Sequence, residues 1–133
     1  MKVYAGLRIM SFDAKVDELS SLLRLTPTKT WKKRASTEPN TPAALGKTNG
    51  WCLESCLLDG DDISEHLQWL IANIRPAKKK LKQLRQTGYL MDIYCMVFCE
   101  YGASCMLSAS ELRSLASLDV DFEIHFIANS GTI

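Results

Sequence analysis

The chain has five cysteines and two histidines, the residue types that most often act as nucleophiles, general bases or zinc ligands. The cysteines form two spaced pairs and a single residue: Cys52, Cys56, Cys95, Cys99 and Cys105. Each pair spans four residues of strand-like sequence, a spacing that separates side chains on one face by about 13 Å. One zinc ion cannot be held over that distance. The sequence therefore predicts small buried thiols, no metal site and no cofactor.

A catalytic cysteine needs a positioned base, and His66 and His125 are the candidates. His66 is predicted on the flank of a helix beside Glu65. His125 is predicted on the polar side of the last strand with Asp121 and Glu123, where a solvated histidine is the usual outcome. The chain also lacks a glycine-rich phosphate loop, a nucleophile elbow and a dinucleotide fingerprint. We therefore expect a protein that is not an enzyme.

Acidic residues cluster in the turn DGDDISE, where helix capping and the helix dipole already account for them. Such a surface is also complementary to a basic protein. The first functional hypothesis is a non-enzymatic protein-binding module, in its most specific form an immunity protein that binds and neutralises a bacterial toxin. Its candidate contacts are Asp59, Asp61, Asp62, Glu65 and the aromatic Trp69, which lies off the apolar stripe of its helix.

Basic residues flank Trp31 and recur between residues 75 and 85, where no acidic residue interrupts them. Cations beside an aromatic side chain are typical of surfaces that bind nucleic acid. The alternative hypothesis is therefore a nucleic-acid or anionic-ligand binding protein that uses one basic face. The residues of that face are Trp31, Lys32, Lys33, Arg34, Lys78, Lys79 and Lys82. Binding that weakens steeply with salt would distinguish this alternative from protein capture.

Alternating apolar residues predict five strands. These strands lie at residues 3–10, 28–33, 50–58, 89–101 and 120–127. The fourth is apolar on both faces and is expected in the middle of the sheet. Trp31 and Trp51 are expected as core anchors on adjacent strands.

Helical periodicity and capping residues predict the helices. One begins after Asp13, and one begins after Asp62, which can form a capping box with Glu65. Pro76 predicts a break and a restart of that helix. The last helix follows Ser108, for which Glu111 completes a capping box.

Strand, helix and strand occur once in residues 3–33 and again in residues 90–127. Two such β-α-β units form a ferredoxin-like antiparallel sheet with helices packed on one face, and the strand from Gly50 plus the helical pair at 62–87 is then inserted between them. The 133 residues, 47% of them hydrophobic, suit one α+β domain over residues 1–133. A flexible loop is expected at about 34–49 and a loose tail at about 128–133.

The net charge of +1 gives no general attraction to nucleic acid. The apolar runs are shorter than the roughly 20 residues of a membrane-spanning helix, and MKVYAGLRIM leads into no small-residue cleavage site. An odd number of cysteines favours reduced thiols. These features predict a cytoplasmic protein without a membrane segment and leave its oligomeric state open.

The segments LTPTKTWKK, GWCLES, DISEHLQWL and YLMDIYCMVFCEY together resemble the bacterial domain-of-unknown-function family four-two-seven-nine. The likeness covers nearly the whole chain, and its most specific parts are TPT-x-x-W and GW-x-LES. The resemblance implies a small, stand-alone intracellular α+β domain with no assigned activity and no catalytic residues to transfer. This chain departs from the family picture in its many cysteines and in lacking an acidic run after the helix that follows GW-x-LES.

Overall fold

The computed structural model describes residues 2–33, 47–55, 57, 62–102 and 104–128. Within them the strands are β1 (Lys2–Ser11), β2 (Lys29–Trp31), β3 (Asn49–Glu54), β4 (Leu90–Cys99) and β5 (Asp121–Ala128). The helices are α1 (Val16–Leu23), α2 (Ile63–Ile74), α3 (Lys78–Gln86) and α4 (Ala109–Ser117), and a 3-10 turn at Arg75–Ala77 joins α2 to α3. Most of the predicted loop at 34–49 and of the predicted tail lies outside the described residues, although Ala128 belongs to β5.

The strands form one mixed sheet in the order β2-β3-β1-β4-β5, so the chain is an α+β protein. β1 runs antiparallel to β3 and β4, and β2 runs antiparallel to β3. β4 and β5 are parallel, so the prediction of an antiparallel sheet was wrong for this pair. The reason is the crossover helix α4, which returns the chain to the end of the sheet where β4 began. β3 also lies between β1 and β2, inside the first predicted unit.

The helices cover one face of the sheet and share one core with it. Alternate residues of β1 point to that face: Val3, Ala5, Leu7 and Ile9. Each helix adds side chains to the same core, among them Leu19 of α1, Leu67 of α2, Leu81 of α3 and Leu115 of α4. A fully buried leucine contributes about 1.5–3 kcal/mol through the loss of its contact with water. The core therefore lies on one side of the sheet, and the described helices leave the other side open.

Trp31 and Trp51 lie on opposite faces of this sheet, although they were both predicted as core anchors. β2 and β3 are neighbours as predicted, and Trp51 is 0% exposed in the core under the helices. Trp31, however, pairs with Gly50 rather than with Trp51. Because successive residues of a strand face opposite sides, this register places Trp31 on the helix-free face.

The helix boundaries follow local capping chemistry in two of three predicted places. Ser108 and Glu111 form the predicted capping box at α4. Asp62 caps α2 as predicted, but its carboxylate accepts a hydrogen bond from the Ser64 backbone N–H and not from that of Glu65, as the predicted capping box requires. Pro76 lies in the 3-10 turn where a break was predicted. The prediction for α1 was wrong, because its N-cap has no side-chain hydrogen bond and the Asp13 carboxylate accepts one from the Ser11 hydroxyl instead. Within the described residues, no helix has the length and apolar character to span a bilayer.

Candidate functional site

The helix-free face of the sheet contains a cleft of about 290 Å³. The β-sheet register aligns on this side the alternate residues that do not enter the core. Side chains from all of the strands line the cleft: Tyr4, Arg8, Lys29, Trp31, Cys52, Tyr94, Met96 and His125. We call this set the open-face cleft. It combines aromatic rings, a thioether, a thiol, an imidazole and the two cations of Arg8 and Lys29 in one concave surface.

Tyr94 forms the centre of the cleft because its ring lies flat on Gly6. A Cβ added to Gly6 would come within 2.6 Å of the Tyr94 Cζ and Oη atoms, so a residue without a side chain is required there. The Tyr94 hydroxyl hydrogen-bonds the Cys52 thiol at 2.9 Å. Burial raises the pKa of Cys52 to about 11, and burial also raises the pKa of Tyr94. Both groups are therefore protonated near neutral pH, which leaves Cys52 a poor nucleophile.

Arg8 and Tyr4 hold the Tyr94 ring from its other sides. The Arg8 guanidinium carbon lies 5.2 Å from the Tyr94 ring centroid, which is within cation–π range. The Tyr4 ring meets the Tyr94 ring edge to face, with centroids 6.3 Å apart and an interplanar angle of 87°. These contacts hold Tyr94 in place on several sides of its ring, and it is 7% exposed.

A carboxylate pair orients Arg8 at one end of the cleft. Arg8 Nε and Nη2 donate to Asp92 Oδ1 and Oδ2 at 3.1 and 2.6 Å, and Nη2 also donates to Glu123 Oε1 at 3.1 Å. A hydrogen bond with Asp92 and partial burial raise the pKa of Glu123. His125 Nε2 lies 3.1 Å from Glu123 Oε2. These contacts use three of the five guanidinium N–H groups and leave those of Nη1 for another acceptor.

Lys29 and Trp31 of β2 form the opposite end of the cleft. Lys29 Nζ pairs with Glu54 at 3.0 Å, and the hydrogen bond to Glu54 raises the pKa of Lys29. The Trp31 indole covers Gly50, because a Cβ on Gly50 would overlap the ring. The Trp31 Nε1 atom is enclosed and has no hydrogen-bond partner among the described residues. An unpaired buried donor of this kind costs about 1–3 kcal/mol.

The predicted acidic surface is only partly described, since Asp59 and Asp61 lie outside the described residues. Asp62 is engaged as the N-cap of α2, and Glu65 is exposed in the first turn of that helix. Trp69 is partly buried and packs against the core, so only part of its side chain is free for a partner.

The predicted basic face is divided between the two sides of the sheet. Lys78, Lys79 and Lys82 belong to α3, which packs on the helix-covered face. Trp31 lies on the helix-free face, and the backbone N–H of Lys33 donates to Asn49 Oδ1 at 2.7 Å just beyond β2. Lys32 lies near the start of α1, where it lines a groove with Lys15 and Asp17. Arg34 lies outside the described residues. The structure therefore does not bring these residues together as one surface.

His66 is buried, contrary to its predicted position on a helix flank. It is 1% exposed, and its Nδ1 lies 2.5 Å from the Ser55 hydroxyl oxygen. The same Ser55 oxygen accepts the Ala5 backbone N–H at 3.0 Å, while the Ser55 N–H donates to the Ala5 carbonyl. Ser55 and His66 therefore join α2 to the end of β3. Among the described residues, no group of three or more histidine, cysteine, aspartate or glutamate side chains is placed to hold a metal ion.

Several residues of the open-face cleft were not predicted as site residues from the sequence, in particular Tyr4, Arg8 and Tyr94. Tyr4 and Arg8 belong to a strand whose other face is apolar, so they resemble ordinary surface positions, whereas Tyr94 belongs to a strand that is apolar on both faces and resembles an ordinary buried residue. One available signal was Gly6, because a glycine inside a strand often marks a close approach by another group. That signal does not say which side chain approaches.

The chain matches the model of a family described as a domain of unknown function (DUF4279) over residues 1–129. It therefore belongs to that family, as the TPT-x-x-W and GW-x-LES segments predicted. No curated protein and no solved structure matches the chain.

Proposed function

We propose that this protein is a non-enzymatic module that binds another protein along the outer edge of β5. The observation that carries this proposal is the contrast between the two edges of the sheet. β2, at one edge, has three residues, whereas β5, at the other, has eight. Short edge strands protect a sheet from pairing with other chains, while a long edge presents a row of unpaired backbone groups. Proteins commonly use such an edge to add a strand from a partner.

The side chains of β5 indicate the chemistry of the added strand. Asp121 and Glu123 place carboxylates on the helix-free side of the edge. Phe126 lies on the other side of the edge and is 51% exposed, so its ring is available for contact with an added strand. An extended segment of alternating basic and apolar residues complements both sides. A basic toxin would supply such a segment, so an immunity protein remains the most specific form of the proposal.

A pair of peptides tests this proposal directly. Wild-type protein should bind an extended peptide of alternating lysine and valine, measured by fluorescence anisotropy, and bind the matching glutamate and valine peptide at least about tenfold more weakly. Phe126→Lys should weaken binding of the basic peptide by about tenfold or more. Phe12→Lys is the matched control, because Phe12 is 67% exposed and lies outside β5.

Three outcomes would contradict strand capture by a foreign protein. One is equal binding of the two peptides, and a second is equal loss of binding in Phe126→Lys and Phe12→Lys. The third is a concentration-dependent dimer in analytical ultracentrifugation that Phe126→Lys abolishes, since the edge would then be used by a second copy of the chain.

Nucleic-acid binding is the weaker alternative, because the lysines of α3 and Trp31 lie on opposite sides of the sheet. A single strand would have to pass around the sheet to reach both. Charge reversal of Lys78, Lys79 and Lys82 together should therefore leave any binding to a single-stranded oligonucleotide at Trp31 unchanged. Loss of salt-dependent binding in that variant would favour the alternative.

Two finer points of fold and location belong to the same proposal. β1 to β4 follow the chain order β-α-β-β-α-β and alternate in direction, which supports a ferredoxin-like unit extended by α4 and β5. Buried free thiols at Cys52 and Cys95 support a reducing compartment, the bacterial cytoplasm. A measurement of the redox state of these cysteines in cells would test the location.

A further inference from the structure

We propose that the open-face cleft binds a small aromatic carboxylate. This inference does not depend on strand capture at β5, because the cleft is formed by side chains on the face of the sheet, whereas strand capture uses the backbone groups of the outer edge. It rests on the charge of the lining, on the aromatic walls and on the size of the cleft.

The charged groups that line the cleft are all of one sign. Arg8 and Lys29 contribute cations at opposite ends, and none of the lining side chains is a carboxylate. The carboxylates that pair with these cations lie outside the lining. They leave donors unused, namely both N–H groups of Arg8 Nη1 and at least one N–H of the Lys29 ammonium. A carboxylate in the cleft would accept charge-assisted hydrogen bonds from these groups.

The walls of the cleft suit a planar ring. Tyr94 and Trp31 each lie against a glycine, so their rings are held close to the sheet. Tyr4 and Met96 complete an aromatic and thioether surface of the kind that packs well against flat ligands.

The volume limits the size of the ligand. About 290 Å³ lies just below the range of roughly 300–1,000 Å³ that is typical of small-molecule sites. A single or fused ring with one carboxylate arm fits such a volume. A nucleotide or an oligonucleotide would extend well beyond it.

Indole-3-acetate is a suitable probe, because it combines a fused ring with one carboxylate. We expect it to shift the indole N–H resonance of Trp31 in ¹⁵N-correlated NMR spectra, with saturation and a Kd below about 1 mM. Indole-3-acetamide has the same shape without the charge and should bind at least about tenfold more weakly. Acetate has the charge without the ring and should leave the Trp31 resonance unmoved at the same concentration.

Two lysine variants separate the cleft from general charge attraction. Lys29→Gln should weaken indole-3-acetate binding about tenfold, whereas Lys79→Gln removes the same charge from α3 on the far side of the sheet and should have no effect. The circular dichroism spectrum should be unchanged in both variants, because Lys29 and Lys79 are exposed. The proposal is overturned by equal binding of the acid and the amide, by equal losses in the two variants, or by the absence of a saturable shift of Trp31.

Discussion

Gly6→Ala introduces a methyl group against the ring of Tyr94 at the centre of the open-face cleft. The added Cβ would lie 2.6 Å from Tyr94 Cζ and Oη and 2.9 Å from Cε1. Favourable carbon contacts begin near 3.5 Å, so the ring has to move by roughly 1 Å. Tyr94 cannot move freely, because Cys52 hydrogen-bonds its hydroxyl and Arg8 lies over its ring. The variant therefore tests whether the floor of the cleft is packed as described.

The expected cost follows from opposing contributions. Overpacking in a well-packed site costs typically 1–3 kcal/mol. Loss of the hydrogen bond between Cys52 and Tyr94 would add about 0.5–1.5 kcal/mol. Replacing glycine by alanine within a strand stabilises the folded state by roughly 0.5–1 kcal/mol, because the unfolded chain becomes less flexible. We expect a net loss of about 1–3 kcal/mol in the free energy of unfolding.

Urea denaturation at constant m-value measures this loss. Gly102→Ala is the control, since a Cβ at Gly102 meets nothing within 4 Å, and its effect should stay within about 0.5 kcal/mol. In a Tyr94→Ala background the new methyl group has room, so Gly6→Ala should then cost little, and the double-mutant cycle should show a coupling of at least about 1 kcal/mol. The reasoning would be refuted if Gly6→Ala and Gly102→Ala had equal effects or if the cycle showed no coupling.

Two further predictions concern a helix cap and the thiols. Ser108→Ala should lower the free energy of unfolding by about 1 kcal/mol through loss of the N-cap of α4, and the exposed neighbouring change Ser110→Ala should have little effect in the same denaturation assay. The backbone hydrogen bond from Ser108 lowers the pKa of Glu111, so the stabilisation by the Glu111 carboxylate is present above about pH 4.5 and is lost as the pH falls through the lowered pKa. The difference in the free energy of unfolding between wild type and Glu111→Gln should therefore shrink in acid. A difference that stays constant with pH would contradict this. At pH 8, a colorimetric disulfide reagent should modify the exposed Cys105 at least about a hundredfold faster than the buried Cys52, whose pKa is about 11. Comparable rates of modification in peptide mapping would show that Cys52 is not enclosed.

Local sequence patterns predicted most elements of the fold correctly. The alternation in β1 and β4, the break at Pro76 and the capping box at Ser108 each depend on residues near in the chain. These features need no knowledge of distant neighbours, since backbone geometry and capping chemistry act over a few residues. Membership of the family also followed from local segments, because TPT-x-x-W and GW-x-LES are contiguous.

The candidate site could not be predicted in the same way, because it is assembled from alternate residues of separate strands. Tyr4 and Tyr94 are far apart in the chain and meet only through the pairing of β1 with β4. His66 was misplaced for a related reason: its partner Ser55 lies at the end of β3, and only the packing of α2 against the sheet brings the two polar groups together.

By itself, the sequence determined where strands and helices form, which face of each is apolar, and the family to which the chain belongs. The tertiary structure alone decided strand order, register and the parallel pairing of β5. Register matters most, because a shift of one residue transfers every side chain of a strand to the other face. Trp31 pairs with Gly50, which is one residue away from Trp51, and this register places Trp51 in the core and Trp31 in the open-face cleft.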